Sequence, residues 1–195
     1  MKKIKTVCVY CASSSKVDKE YFGAAVELGK ILAVHDITCV CGGGNQGLMG
    51  TLSDSVLESG GKVIGVIPRF MQDEGWCHNN LTRIITTKDM HERKQTMANL
   101  SDAVIAMPGG CGTLEELLEI ITWKQLGLYL NPIVILNTKG YYDGLIELFD
   151  RAIRESFMRP EHSKLWETAT SPTEVLPAFY RSQEWDGSIR KIAAI

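Results

Sequence analysis

The sequence lacks an excess of either charge: 21 Lys and Arg stand against 23 Asp and Glu, for a net charge of -2. Nucleic-acid binding normally rests on a basic patch, so that partner is not expected. It also lacks any apolar run near the roughly 18 residues of a membrane span, so no membrane partner is expected. The opening MKKIKTVCVY puts lysines before an apolar segment. That segment is short and has no A-x-A-like site, so it reads as a first strand and not as a signal peptide. No internal repeat, low-complexity tract or domain linker interrupts the 195 residues. The expectation is one domain spanning residues 1–195, with a polar tail from residue 181 onward.

Metal and redox patterns are missing as well. The six cysteines include Cys8-Val-Tyr-Cys11, which has C-x-x-C spacing. A redox pair normally opens a helix, whereas Cys8 lies inside a predicted strand. Cys39 and Cys41 do not have zinc-knuckle spacing, and His91 has no second ligand at metal spacing. The thiols are expected to act as small apolar residues in a reducing cytoplasm. No metal and no cofactor are expected.

What is present is an alternation of apolar strands and amphipathic helices. Strands are predicted over residues 4–10, 37–41, 62–67, 81–86, 104–107 and 131–137. Helices are predicted over 18–34, 48–59, 88–100, 142–157 and 172–180. Residues 69–80 and 158–171 read as irregular, the former as a lid or partner-facing loop. The pattern predicts an α/β fold: a doubly wound, mostly parallel sheet with helices on both faces. In such sheets ligands bind at the carboxyl ends of the strands. Three of those ends carry small turns, at Ser13-Ser14, Gly42 to Gly47, and Gly109 to Gly112.

The densest signal is DAVIAMPGGCGTLEELLEII, residues 102–121. A short apolar strand breaks into Pro108-Gly109-Gly110-Cys111-Gly112 and then enters a helix. Thr113 is expected to cap that helix, with Glu116 in its first turn. A glycine loop feeding a helix N-terminus is an anion site. Cys111 at that terminus has no base assigned to it by any sequence feature, so a thiol nucleophile is not favoured.

Gly42-x-Gly44-x-x-Gly47 matches the dinucleotide fingerprint in form only. The next strand ends Ile67-Pro68-Arg69, with no acid to hold a ribose, so a nicotinamide-linked oxidoreductase is the weakest reading. No G-x-x-x-x-G-K-[ST] occurs. Met90-His91-Glu92-Arg93-Lys94 sets two adjacent cations near a helix start, where the dipole disfavours them. A bound phosphate or a carboxylate would compensate.

Taken together and in order, these segments resemble the LONELY GUY family of cytokinin-activating phosphoribohydrolases. MPGGCGTLEE is similar to that family's P-G-G-x-G-T-x-x-E motif, and MHERK to its M-H-x-R-K motif. CGGGNQGLMG is similar to its G-G-G-x-x-G-L-M-G segment, and Cys11-Ala12-Ser13-Ser14 to its turn after strand one. The resemblance implies a Rossmann-like homodimer acting on a small-molecule nucleotide. It would hydrolyse the N-glycosidic bond of a nucleoside 5′-monophosphate, giving an adenine-type base and ribose 5-phosphate. By position, the catalytic residues are Arg93 and Glu116.

The candidate substrate-binding residues are Ser13, Gly43 and Gly44 on the first two turns, Met90 and Lys94 on the basic helix, and Gly109, Gly110, Gly112 and Thr113 on the third turn. The segment FMQDEGWCHNN departs from the plant members and is expected to line the base end. Trp123, Leu126, Leu128 and Tyr129 are either core or a dimer face, the latter on family grounds. The lysine decarboxylase label carried by many members finds no pyridoxal-phosphate lysine signature here. The rival reading is a non-catalytic nucleotide- or molybdenum-cofactor carrier of the same fold.

Overall fold

In the computed structural model, which describes residues 3–186, strand β1 (Thr6–Tyr10) divides its side chains between two apolar clusters. Val7 and Val9 enter one, and Cys8 and Tyr10 enter the other. Burial on both faces is what a central parallel strand requires. The remaining strands are β2 (Thr38–Cys41), β3 (Val63–Pro68), β4 (Arg83–Thr87), β5 (Ala103–Ala106), β6 (Ile133–Leu136) and β7 (Glu167–Ala169). They form a seven-stranded sheet in the order β4-β3-β2-β1-β5-β6-β7, and every neighbouring pair is parallel.

Helices α1 (Lys19–Val34) and α2 (Gly47–Glu58) cover one face through Ala25, Leu28, Leu32, Leu48, Leu52 and Val56. A late helix (Val175–Arg181) joins them there. The opposite face is covered by Met97 and Ala98 of a helix at Met90–Asn99, by Leu117, Ile120 and Ile121 of one at Cys111–Gln125, and by Phe149 of one at Asp143–Arg154. A five-residue helix at Arg69–Asp73 lies between β3 and β4. In chain order these become α3 (Arg69–Asp73), α4 (Met90–Asn99), α5 (Cys111–Gln125), α6 (Asp143–Arg154) and α7 (Val175–Arg181). This is a doubly wound, Rossmann-like α/β fold. β1 is followed outward by β2 on one side and by β5 on the other, so the winding reverses at β1. A crevice opens at the carboxyl ends of strands at such a reversal.

Several sequence expectations need correction. Residues 158–171 are not all loop: a 3-10 turn at Pro160–Lys164 leads into β7, which pairs with β6. Glu-Thr-Ala is too short and too polar to show a strand period. Residues 69–80 are not all irregular: they contain α3, too short for a helical stripe, with Pro68 at its N-cap. Helix α5 starts at Cys111 with Gly110 as N-cap, so Thr113 is not the cap and Glu116 falls in the second turn. Gly110 takes the extended cap conformation itself, and the Thr113 side chain folds back over Gly109 instead. Of the predicted tail, Arg181 ends α7; residues 187–195 lie outside the described residues. Among the described residues, no helix is long and apolar enough to cross a membrane.

Candidate active site

Three loops meet at the crevice because glycine lets them approach. Gly47 has φ +60°, and a Cβ there would stand 2.4 Å from the Ser13 carbonyl carbon. The second turn can therefore lie against the first only with glycine at this position. Gly42 has a different constraint: a Cβ would meet the Arg93 guanidinium at 1.9 Å. Arg93 lies across that backbone, donating from Nε to the Val66 carbonyl (3.1 Å) and from Nη2 to the Gly42 carbonyl (3.2 Å).

Helix α4 begins with reciprocal hydrogen bonds. Asp89 accepts from the Glu92 N–H (2.9 Å), and the Glu92 carboxylate accepts from the Lys88 N–H (2.8 Å). This fixes the helix whose next residues, Arg93 and Lys94, are both buried. Their compensation comes from carboxylates of α5. Arg93 Nη1 stands 3.9 Å from Glu116 Oε1. Lys94 Nζ bonds to Glu115 and, at 3.1 Å, to Glu119.

The resulting cleft has a volume of about 610 Å³. Arg93 and Glu116 form its inner wall, with Ser13, Gly44, Met90, Gly110, Gly112 and Thr113 around them. Three candidate residues are not part of the lining. Lys94 turns to α5 as described. Gly109 lies under Thr113. Gly43 directs its N–H to the Cys41 thiol, whose pKa is lowered first by its hydrogen bond with Cys39 and then by this one, against burial. The Gly44 N–H meets Met49 Sδ at 3.1 Å. The sequence reading missed Met49, Gln46 and Glu115 as lining residues. Gln46 and Met49 flank the matched glycines and carry no chemistry of their own. Glu115 sits one position from a functional carboxylate, and spacing alone does not separate the two.

The segment after β3 is stapled onto the second turn. The Asn45 N–H donates to the Trp76 carbonyl (3.0 Å), and the His78 N–H donates to the Gly43 carbonyl (2.9 Å). His78 Nδ1 accepts from the Asn80 N–H (3.1 Å), so Nε2 donates to Asp54 at 2.9 Å. These bonds bring Met71 and Trp76 to the cleft beside Met49 and Met90, an apolar end facing the polar one.

Burial pushes the Glu116 carboxyl up to about 7, and the nearby Arg93 charge opposes only part of that rise. A carboxyl poised near neutrality serves as a proton acceptor or donor. Cys8 and Tyr10 of β1 and Cys11 just after it lie within electrostatic reach of Glu116, and burial disfavours their ionisation as well. The first N–H groups of α5 have no acceptor within the helix, which suits them to a phosphate. Among the described residues, no group of three or more His, Cys, Asp and Glu is placed to hold a metal ion.

Fold and cleft together define a Rossmann-like protein whose cleft, at the carboxyl ends of its strands, is walled by a buried carboxylate and an arginine. Residues 49–179 match the family described as "Possible lysine decarboxylase". The chain is 44% identical over 174 residues to rice (Oryza sativa subsp. japonica) "Probable cytokinin riboside 5′-monophosphate phosphoribohydrolase LOGL6", covering 89% of this chain and 70% of the relative. It is equally 44% identical over 174 residues to the Arabidopsis thaliana cytokinin riboside 5′-monophosphate phosphoribohydrolase LOG1, covering 89% of this chain and 82% of the relative. The chain belongs to this family. Among solved structures, the molybdenum cofactor carrier protein of Chlamydomonas reinhardtii matches with TM-score 0.69 at 21% identity, over 92% of this chain and 98% of that one. The molybdenum cofactor binding protein of Rippkaea orientalis matches with TM-score 0.70 at 20% identity, over 93% and 98%. These two likenesses speak for the fold alone.

Proposed function

We propose that this protein hydrolyses the N-glycosidic bond of an adenosine 5′-monophosphate, N6-substituted or plain, releasing the base and ribose 5-phosphate. The observation that carries the reading is Glu116, held near neutrality 3.9 Å from Arg93 at the inner wall of a cleft edged by the α5 N-terminus. The names of the family relatives support it.

Glycosidic cleavage passes through an oxocarbenium-like sugar. The carboxylate of Glu116 stabilises that charge and takes a proton from the attacking water as the water oxygen bonds to C1′. The C1′–N9 bond breaks, and the proton goes on to the departing base. Arg93 supplies positive charge either to that base or to Glu116. The phosphate rests on the N–H groups of Gly110 to Thr113, so binding energy remote from the reacting carbon positions the sugar. Among the described residues, no lysine lines the cleft, so the family's decarboxylase label finds no amine there to act through.

A homodimer is proposed as the working form. Tyr129 is buried, but Leu118, Leu126, Leu128 and Leu130, on and just after α5, are exposed apolar side chains. A partner copy would cover them. The free thiols, four of them buried, support a reducing cytoplasmic setting. The test is to incubate the protein with AMP, adenosine and an N6-prenylated AMP and quantify free base by chromatography. AMP is expected to exceed adenosine in kcat/KM by more than tenfold. Equal values would overturn the phosphate-anchored mechanism. Binding of nucleotide without any release of base would instead favour the carrier reading.

A further inference from the structure

The glycine loop after β5 is held from behind, one carbonyl at a time. Tyr142 Oη donates to the Met107 carbonyl at 2.7 Å. The Ala12 N–H donates to the Pro108 carbonyl at 3.2 Å. Tyr141 Oη donates to the Gly109 carbonyl at 2.5 Å. The Leu114 N–H donates to the Gly110 carbonyl at 3.0 Å. Four successive carbonyls are thus occupied by the protein's own donors.

A trans peptide points its C=O and its N–H in opposite directions. No peptide among the described residues is cis. A donor that draws the Gly109 carbonyl to one side therefore turns the Gly110 N–H to the other. Gly110 lines the cleft, whereas Tyr141 does not. This peptide joins two glycines, which have no Cβ to resist its rotation. Among the described residues, the hydroxyl of Tyr141 is the one side-chain group bonded to its carbonyl.

Tyr141 is 43% exposed, and its inner side is held by its neighbours. Asn137 bridges its turn, accepting from the Tyr142 N–H (2.6 Å) and donating to Asp143 (2.7 Å). The Tyr141 ring meets Tyr21 edge-on (6.0 Å, 82°) and Tyr142 edge-on (5.0 Å, 88°). Lys139 lies over Tyr21 at 5.9 Å and is itself bonded to Asp18 at 2.9 Å. The hydroxyl can therefore be removed while the ring keeps its packing.

We propose that Tyr141 is a positioning residue: by holding the Gly109 carbonyl it aims the Gly110 N–H at the phosphoryl group of the substrate. The proposal rests on the reading above that a phosphate sits at this loop. Tyr142 provides an internal control. The peptide it holds is Met107–Pro108, and proline has no N–H to present.

The experiment compares wild type, Tyr141→Phe and Tyr142→Phe. Calorimetry measures the Kd of ribose 5-phosphate, kinetics measure kcat and KM for AMP and kcat/KM for adenosine, and thermal melts follow folding. Tyr141→Phe is expected to weaken ribose 5-phosphate and to raise KM for AMP by about fivefold to tenfold, the worth of one hydrogen bond. Its kcat/KM for adenosine and its Tm should stay near wild type. Tyr142→Phe should lower Tm without that phosphate-selective loss. An unchanged Kd in Tyr141→Phe, an equal loss in both variants, or no ribose 5-phosphate binding by wild type would each overturn the proposal. Failure of wild type to cleave AMP would instead sink the proposed hydrolysis, while the binding comparison would still decide the role of Tyr141.

Discussion

Arg93 Nη1 and Glu116 Oε1 stand 3.9 Å apart, close enough to share a field and too far for a hydrogen bond. Both side chains are almost fully buried, and Arg93 is already committed to the carbonyls of Val66 and Gly42. The pair is therefore not a closed ion bridge. Arg93 is anchored by backbone, and Glu116 keeps lone pairs free for a ligand. Its proton affinity is set more by burial than by its partner.

Glu116→Gln separates catalysis from stability. Loss of the carboxylate should reduce kcat by about a hundredfold or more. The stability effect has the opposite sign. A carboxyl raised to about 7 by burial favours the folded state when protonated, so that contribution is present at acid pH and lost as pH rises through 7. The variant should match wild type near pH 4 and be more stable by up to about 2–3 kcal/mol at pH 8. Chemical denaturation at the two pH values checks this.

The same group sets the acid side of the rate profile. If the carboxylate form is active, kcat/KM should rise with pH through about 7. Lys94 shields Glu116 from Glu115 and Glu119, its neighbours on α5, so Lys94→Met should move that limb to higher pH. Activity at pH 7 should fall roughly threefold to tenfold, and Lys94→Arg should restore most of it. An unmoved limb would make Lys94 a purely structural tie.

Lys124 is buried on α5, and its amine has no hydrogen-bond partner among the described residues. Burial lowers its pKa to about 8, against a smaller pull from Glu167. Below that pH the folded state must carry a buried charge, and stability recovers as pH rises from about 8 toward the unfolded value near 10.4. Lys124→Met is expected to raise Tm at pH 7, by about 1–4 kcal/mol in stability, with the gain fading toward pH 10. Paired melts at pH 7 and pH 10 measure it.

Gly47→Ala tests the contact between the first two turns. Its Cβ would stand within 2.6 Å of the Ser13 and Ser14 carbonyl oxygens, at φ +60°. The strain should cost roughly 2–4 kcal/mol and pull the loops apart. Gly60→Ala is the comparison: it has φ +79° but open space around it, so its smaller loss reports the backbone term alone.

The alternation of buried strands and amphipathic helices was legible because each long segment carries its own period. Adjacent apolar residues such as Val104 with Ile105 and Val134 with Ile135, which enter opposite clusters, announced a doubly buried sheet, and the glycine turns announced its ligand edge. The short elements were not legible. Helix α3 and strand β7 are held by what lies beside them, β4 through the Thr86–Gln72 hydrogen bond and β6 through strand pairing, and not by a pattern within them. The start of α5 was misplaced because threonine is a good cap in isolation, whereas here Gly110 adopts the cap conformation and Thr113 covers Gly109.

The residue types at the site followed from local chemistry, since a glycine turn before a helix, a carboxylate and a basic pair are written in consecutive letters. Which of them face one another did not. Arg93 and Lys94 are adjacent in the chain but point to different partners, one to the cleft and one to α5. Tyr141 reaches Gly109 across 32 positions. Separations of that kind close only when helices pack on a common sheet, and burial in that packing is what brings Glu116 to neutrality.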